Sequence, residues 1–428
     1  MSATTSAADA PAPGEAIGKA AWIVFASAFL GWMFDAMDLH LFTMIMIPAL
    51  KELTGVTDPV VLAQYGGQVM AVKLLAWGVG GIAFGVLADR FGRARIMLFT
   101  ILMYSVCTAL SGLARDWNQL LVLQALAGLG IGGEWAAGAA LVVETWPQRH
   151  RARAVQGMQA ALVFGLFAAS AVALTLAWAG WRWILAAGAA PAVLSLAMRW
   201  FTPESKEWSR LKQQSRLGTD GPRLGSLSTI FGPQLRRRTW VGTVMGLAMM
   251  VGCWGGTTLA PALVQRVFGD ASAIEATRAM GRLFIALNVG ALAGFGAIYL
   301  IVWKRPDVSR RSIFVLYSVG AWISTWAVYG FAHDPRSLHL LIAAFGFFAV
   351  GGFGILALYL TELFPTHVRA TGQGFAWNAA RLVTAAGPFF AGLGVARLGV
   401  SGVGALIAAV FLLGVVAVAF GPEIRRQP

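Results

Sequence analysis

The sequence predicts an all-α membrane protein: twelve transmembrane helices in two pseudo-symmetric six-helix bundles. Three observations predict it. Apolar runs of the length needed to cross a bilayer recur along the whole chain. One long polar stretch divides them six and six. A short motif recurs at the same place in each half. The 428 residues are 58% hydrophobic and only 12% charged, with a mean hydropathy of +0.69, more apolar than a soluble core requires.

Taken in order, spans are expected near 20–48, 66–88, 96–113, 118–146, 153–178 and 181–201. A second set follows near 240–262, 280–303, 312–331, 337–361, 370–395 and 400–420. Residues 1–19, rich in Ala, Ser, Thr and Pro, carry no basic n-region and precede a spanning helix, so they read as a disordered cytoplasmic tail. The expected domains are then 20–201, the N-terminal bundle, and 239–421, the C-terminal bundle. A cytoplasmic linker, 202–238, joins them, and 422–428 forms a second cytoplasmic tail.

Of the 33 Lys and Arg, 23 fall on the side that holds both termini and the linker, which marks that side as cytoplasmic in a cell inner membrane. The +14 net charge is therefore topological, and nucleic-acid binding is excluded. Cys107 and Cys253 lie in separate spans with no metal-ligand spacing, so neither a disulfide framework nor a metal or cofactor site is expected. The five histidines show no ligand spacing either.

Asp35 and Asp38 stand in the middle of span 1. Each ionised carboxylate at that depth costs about 2.5 to 3.5 kcal/mol on an insertion scale, so both must face a polar interior. Spaced three apart, they share a helix face, and two acids so close in low dielectric favour holding a proton between them. Glu134 lies near the bilayer middle of span 4 among glycines and is a third candidate proton carrier; the alternative for each acid is a structural polar contact.

Arg381 lies about 18 Å deeper along span 11 than Arg369. A permanent cation there needs a partner, either a protein acid or a substrate carboxylate, which its planar fork fits. Asn378 shares its face. Lys73 in span 2 is a second intramembrane cation, able to pair with Asp38 when the site is empty or to snorkel. Gln159, which the repeat matches to the neighbourhood of Asn378, is a candidate lining residue. Asn288, Trp135, Trp254 and Trp377 are others, the tryptophans suited to stacking on a ring-bearing ligand.

The repeat is Glu144-Thr-Trp-Pro147 with Arg151, and Glu362-Leu-Phe-Pro365 with Arg369, at equal offsets. Gly85-Val-Leu-Ala-Asp89-Arg90-Phe-Gly92-Arg93-Ala-Arg95 forms the turn between spans 2 and 3. It closely resembles the loop motif of the major facilitator superfamily, and the resemblance extends from span 1 to span 12. The resemblance implies a latch on the cytoplasmic side. Asp89, Arg90, Arg93, Glu144 and Arg151 then read as gate residues, with Glu362 and Arg369 as their repeat counterparts. Asp89 would sit near a helix N-terminus of the other half, and the arginines would pair with acids at span ends. The second half lacks the matching Asp (Gly296 to Arg311), so the first half is expected to carry more of the latch.

Within the superfamily, the FDAMD acids, Gly128-Leu-Gly130-Ile-Gly132-Gly133-Glu134-Trp135, Pro203-Glu204-Ser205 and Gly372-Gln373-Gly374 through Arg381 resemble the sialate, lactate and aromatic-acid symporters. Gln124 stands where those relatives usually carry Arg. The resemblance implies alternating-access symport of a small organic anion, a monocarboxylate or an aromatic or sugar acid, with protons, by a monomer in the lipid bilayer. A proton-driven efflux antiporter on the same fold is the alternative, and a non-transporting nutrient sensor a second one. An enzyme is not expected, because no nucleophile, metal or phosphate-loop constellation is present.

Overall fold

A computed structural model describes residues 17–57, 59–191, 193, 197, 201–216, 224–268, 273–385 and 387–424. The expected tails thus lie mostly outside the described residues. The first half comprises α1 (Lys19–Thr54), α2 (Pro59–Phe91), α3 (Arg93–Ser111), α4 (Trp117–Thr145), α5 (Arg151–Gln159), α6 (Ala161–Leu176) and α7 (Trp181–Ala186). The linker contains α8 (Lys206–Arg216) and α9 (Leu227–Ile230). The second half comprises α10 (Arg236–Thr258), α11 (Ala260–Phe268), α12 (Ala273–Lys304), α13 (Arg310–Phe331), α14 (Pro335–Phe345), α15 (Gly352–Leu363), α16 (Arg369–Thr384) and α17 (Gly387–Ala419).

Nine helices among the described residues are long and apolar enough to cross a membrane. The expected crossings near 181–201, 240–262 and 370–395 are not among them. The first lies partly outside the described residues. The second opens on Arg236, Arg237 and Arg238 and breaks at Leu259, where Pro261 sits in the first turn of α11. The third carries Arg369, Gln373, Asn378 and Arg381, and its helix ends at Thr384. α17 joins the end of that crossing to the last one through Gly399, whose φ of 68° suits a glycine. Large apolar side chains face outward, among them Leu113, Trp178 and Leu340, each more than two-thirds exposed, as on a lipid-facing belt.

Backbone contact at glycines repeats between the halves. A Cβ on Gly132 of α4 would lie 2.2 Å from the Trp77 carbonyl oxygen of α2, and one on Gly290 of α12 would lie 1.9 Å from the Ala343 oxygen of α14. Spans 2 and 4, and spans 8 and 10, therefore touch main chain to main chain, which only small residues permit. In span 10 the close approach coincides with a π-helical turn, Gly346–Val350. Among the described residues, the halves meet chiefly through α2 and α4 against α16, and α5 against α12 and α15.

Candidate substrate and gate sites between the halves

One stripe on α2 organises the interface. Lys73, Trp77, Gly81, Gly85 and Asp89 recur every four residues and run about 24 Å along one side of the helix. Deep in the bundle, the Arg381 guanidinium carbon lies 3.8 Å from the centre of the Trp77 ring. The Arg381 Nη1 donates to Asn378 Oδ1 at 2.5 Å, and Asn378 Nδ2 donates to the Gly374 carbonyl at 2.9 Å. A Cβ on Gly81 would fall 1.9 Å from Asn378 Nδ2, so the absent side chain makes room for that amide. Arg381 is 7% exposed and forms no ion pair with any described carboxylate.

The span 1 acids are divided between two neighbours. Asp38 Oδ2 accepts from Lys73 Nζ at 2.8 Å, and Lys73 also donates to Gln124 Oε1 at 2.9 Å. Gln124 Nε2 in turn donates to Ser111 Oγ at 3.0 Å. Asp35 instead interacts with Glu134, whose Oε1 lies 2.2 Å from where a Cβ on Gly31 would stand, one turn before Asp35. All four carboxyl oxygens of Asp35 and Glu134 are buried without a hydrogen-bond donor. Two ionised carboxylates are acceptors only, so each lacks what a proton between them would provide. Asp35 also interacts with Arg381 across the interface. The Tyr104 hydroxyl, buried and unpartnered, faces the same three acids.

Aromatic rings line the layer below. Trp135 of α4 stacks on Trp377 of α16 at 4.2 Å with an interplanar angle of 23°. Trp135 Nε1 donates to Gln159 Oε1 at 3.0 Å, which fixes the ring. Trp32 and Phe353 flank the stack at 6.5 Å from Trp135 and 5.5 Å from Trp377. The indole N–H groups of Trp32 and Trp377 are buried without acceptors. Trp254, at 41% exposed, and Asn288, half-buried, complete the set expected from sequence.

At the linker end of the stripe, Asp89 captures the N-terminus of α16. Its carboxylate accepts from Thr371 N at 2.7 Å, Thr371 Oγ1 at 2.6 Å and Ala370 N at 3.4 Å. The helix dipole and free N–H groups favour an anion there. Arg93 Nη2 lies 2.8 Å from Asp89, its Nε 3.3 Å from Glu144, and it donates to the Thr366 carbonyl at 2.6 Å. Arg369 Nη1 reaches Glu144 at 3.0 Å. Two of the expected gate arginines donate to main chain: Arg90 to the Gly225 carbonyl, and Arg151 to that of Trp146 while also lying in the field of Glu207, Glu144 and Glu362. Glu362 accepts from Arg310 at 3.3 Å, inside the second half. Arg310 and Glu362 thus repeat the Arg93 and Glu144 pair, without an Asp to cross to the other half.

The linker closes over this end. Glu204 accepts from the backbone of Arg93 and Ala94 at the start of α3, and Trp208 Nε1 donates to the Asp89 carbonyl at 2.7 Å. Glu207 accepts from Thr366 Oγ1.

A model of the Major Facilitator Superfamily matches residues 21–383. The chain belongs to that superfamily. It is 32% identical over 366 residues to a probable 4-methylmuconolactone transporter of Cupriavidus pinatubonensis, covering 84% of this chain and 81% of the relative. It is 30% identical over 427 residues to a cis,cis-muconate transport protein of Acinetobacter baylyi, covering 96% and 97%. A solved proton:xylose symporter, XylE, shares the fold at a TM-score of 0.77 and 18% identity over 95% of this chain and 97% of that one. This superfamily member is a multi-pass membrane transporter and not an enzyme.

Reading the superfamily sequence alone misses Trp77, Gly81, Tyr104, Thr371 and the linker residues Glu207 and Trp208. The four-residue spacing of Lys73, Trp77, Gly81, Gly85 and Asp89 is the signal that would have found the first two. Thr371 and the linker contacts are tertiary and leave no local mark.

Proposed function

We propose that the transporter carries a small organic carboxylate together with protons by alternating access, with the linker side facing the cytoplasm. One observation carries this reading: Arg381 is a buried cation braced by Asn378 and Trp77, with Asp35 nearby but no described carboxylate at ion-pair distance on its guanidinium. A charge so placed is costly until an anion meets it. The substrate carboxylate docks on the guanidinium fork, and its flat body lies against the Trp135 and Trp377 layer. Relatives named for muconate and methylmuconolactone support a planar unsaturated acid. Of the three candidate acids, Asp35 and Glu134 exchange the coupled proton, while Asp38 stays paired with Lys73. The Asp89 latch keeps the linker side shut until the loaded halves rock.

Proteoliposome uptake tests this against the efflux alternative. An outside-acid gradient drives accumulation of cis,cis-muconate or nicotinate in a symporter. Depletion of preloaded acid under the same gradient would identify an antiporter.

A further inference from the structure

Apart from the Asp89, Arg93 and Glu144 cluster at the linker end, five buried ionisable groups share the interface: Asp35, Asp38 and Glu134 against Lys73 and Arg381. The other titratable groups facing them are His40, on the acids' own helix with Nδ1 against the Ala36 carbonyl, and on α3 the Tyr104 phenol and the Cys107 thiol, the last facing Asp38. Counting all three as neutral, three carboxylates against two cations leave one uncompensated negative charge. A net charge in a low-dielectric interior is strongly disfavoured. Asp38 is paired with Lys73 through Oδ2 and only its Oδ1 lacks a donor, whereas neither oxygen of Asp35 nor of Glu134 has one. One proton between those two carboxyls removes the excess charge and gives the pair a hydrogen bond from one to the other.

Resting on the carboxylate-symport reading, we propose that the empty site holds one proton between Asp35 and Glu134 and takes up a second with each monovalent carboxylate, so that both empty and loaded carriers are electrically neutral. The balance is simple. The anion on Arg381 adds one negative charge, and a proton from water on the entry side neutralises whichever member of the pair is still ionised. On the exit side the anion leaves and that proton returns to water. A dianion brings two negative charges against one vacant carboxylate, so it crosses with one of its own carboxyls protonated.

The test is uptake of radiolabelled nicotinate, a monovalent planar carboxylate, into proteoliposomes under separately imposed pH and potassium-diffusion gradients. The pH gradient alone is expected to drive accumulation, and an inside-negative potential alone to drive none. A carrier translocating one net charge per cycle would instead respond roughly 50-fold to 100 mV. Asp35→Asn and Glu134→Gln each keep proton coupling, because the surviving carboxylate accepts the proton. The double variant binds nicotinate with no proton uptake, and its transport ignores pH. Accumulation driven by potential alone overturns the proposal while leaving carboxylate transport intact. So does loss of coupling in either single variant, or proton uptake that persists in the double one. Absence of uptake of both nicotinate and cis,cis-muconate under every gradient overturns the substrate reading, and this proposal with it. The wild-type potential measurement decides the question even where the double variant does not fold.

Discussion

Asp89→Asn releases the bond between halves that the structure makes most costly to lose. The wild-type carboxylate accepts two short hydrogen bonds from Thr371, at 2.7 and 2.6 Å, and faces the dipole of α16. Charge-assisted bonds contribute about 1.5 to 3 kcal/mol each, and neutral ones about 1. Asparagine keeps one acceptor and loses the charge. The latch therefore weakens by about 3 kcal/mol, on the order of a 100-fold shift towards the linker-open state. Spin labels on cysteines introduced at Arg95 and Lys304, both exposed at the linker end of opposite halves, report the opening as a new long-distance population. Cys107 and Cys253 must first be replaced. Glu362→Gln is the comparison: it breaks the 3.3 Å pair with Arg310 inside the second half and removes only a weak attraction to Arg151 of the first, so it shifts the distance distribution far less than Asp89→Asn. An Asp89→Asn distribution identical to wild type would refute the one-sided latch.

Three further outcomes follow from the geometry. Lys73→Met strands Asp38 in the interior and is expected to destabilise by about 3 to 5 kcal/mol, with Asp38→Asn on the same chain restoring most of the loss, as read by detergent melting. Gly81→Ala places a methyl on Asn378 and turns its amide off Arg381; carboxylate affinity falls roughly 10- to 100-fold with little change in melting. Gly80→Ala, which meets the Leu129 backbone at 2.0 Å, should instead lower melting markedly. On the face opposite the linker, the hydrogen bond from Trp181 and then those from Arg182 hold the Glu52 carboxyl below its usual range. Its stabilisation is therefore present above the unfolded value and fades as pH falls through the folded one, so the melting deficit of Glu52→Gln at pH 7 should close as pH falls below the ordinary glutamate range.

The fold is legible because bilayer crossing imposes length and composition on each span, and because the Glu144 and Glu362 repeats mark the same turn in each half. The interruptions are less legible. Span 5 divides after Gln159, span 10 passes through a π turn at Gly346, and α16 ends at Thr384; each depends on packing between helices. The candidate site shows the same division. Asp35, Asp38, Glu134, Lys73 and Arg381 announce themselves because a charge in an apolar run is costly. Their partners do not, because spacing along α1 puts Asp35 beside Asp38, whereas α2 and α4 supply the closer neighbours, Lys73 and Glu134. Gln124 reads only as a departure from a pattern until its amide is seen linking Lys73 to Ser111.

The central claim is that Arg381 waits for a carboxylate. Isothermal calorimetry of purified wild type and Arg381→Ala with nicotinate and its uncharged amide tests it directly. The account requires wild type to prefer the acid and the variant to lose on the order of 100-fold in acid affinity while its amide affinity barely changes. Equal loss for both compounds, or an unchanged preference for the acid, would contradict it.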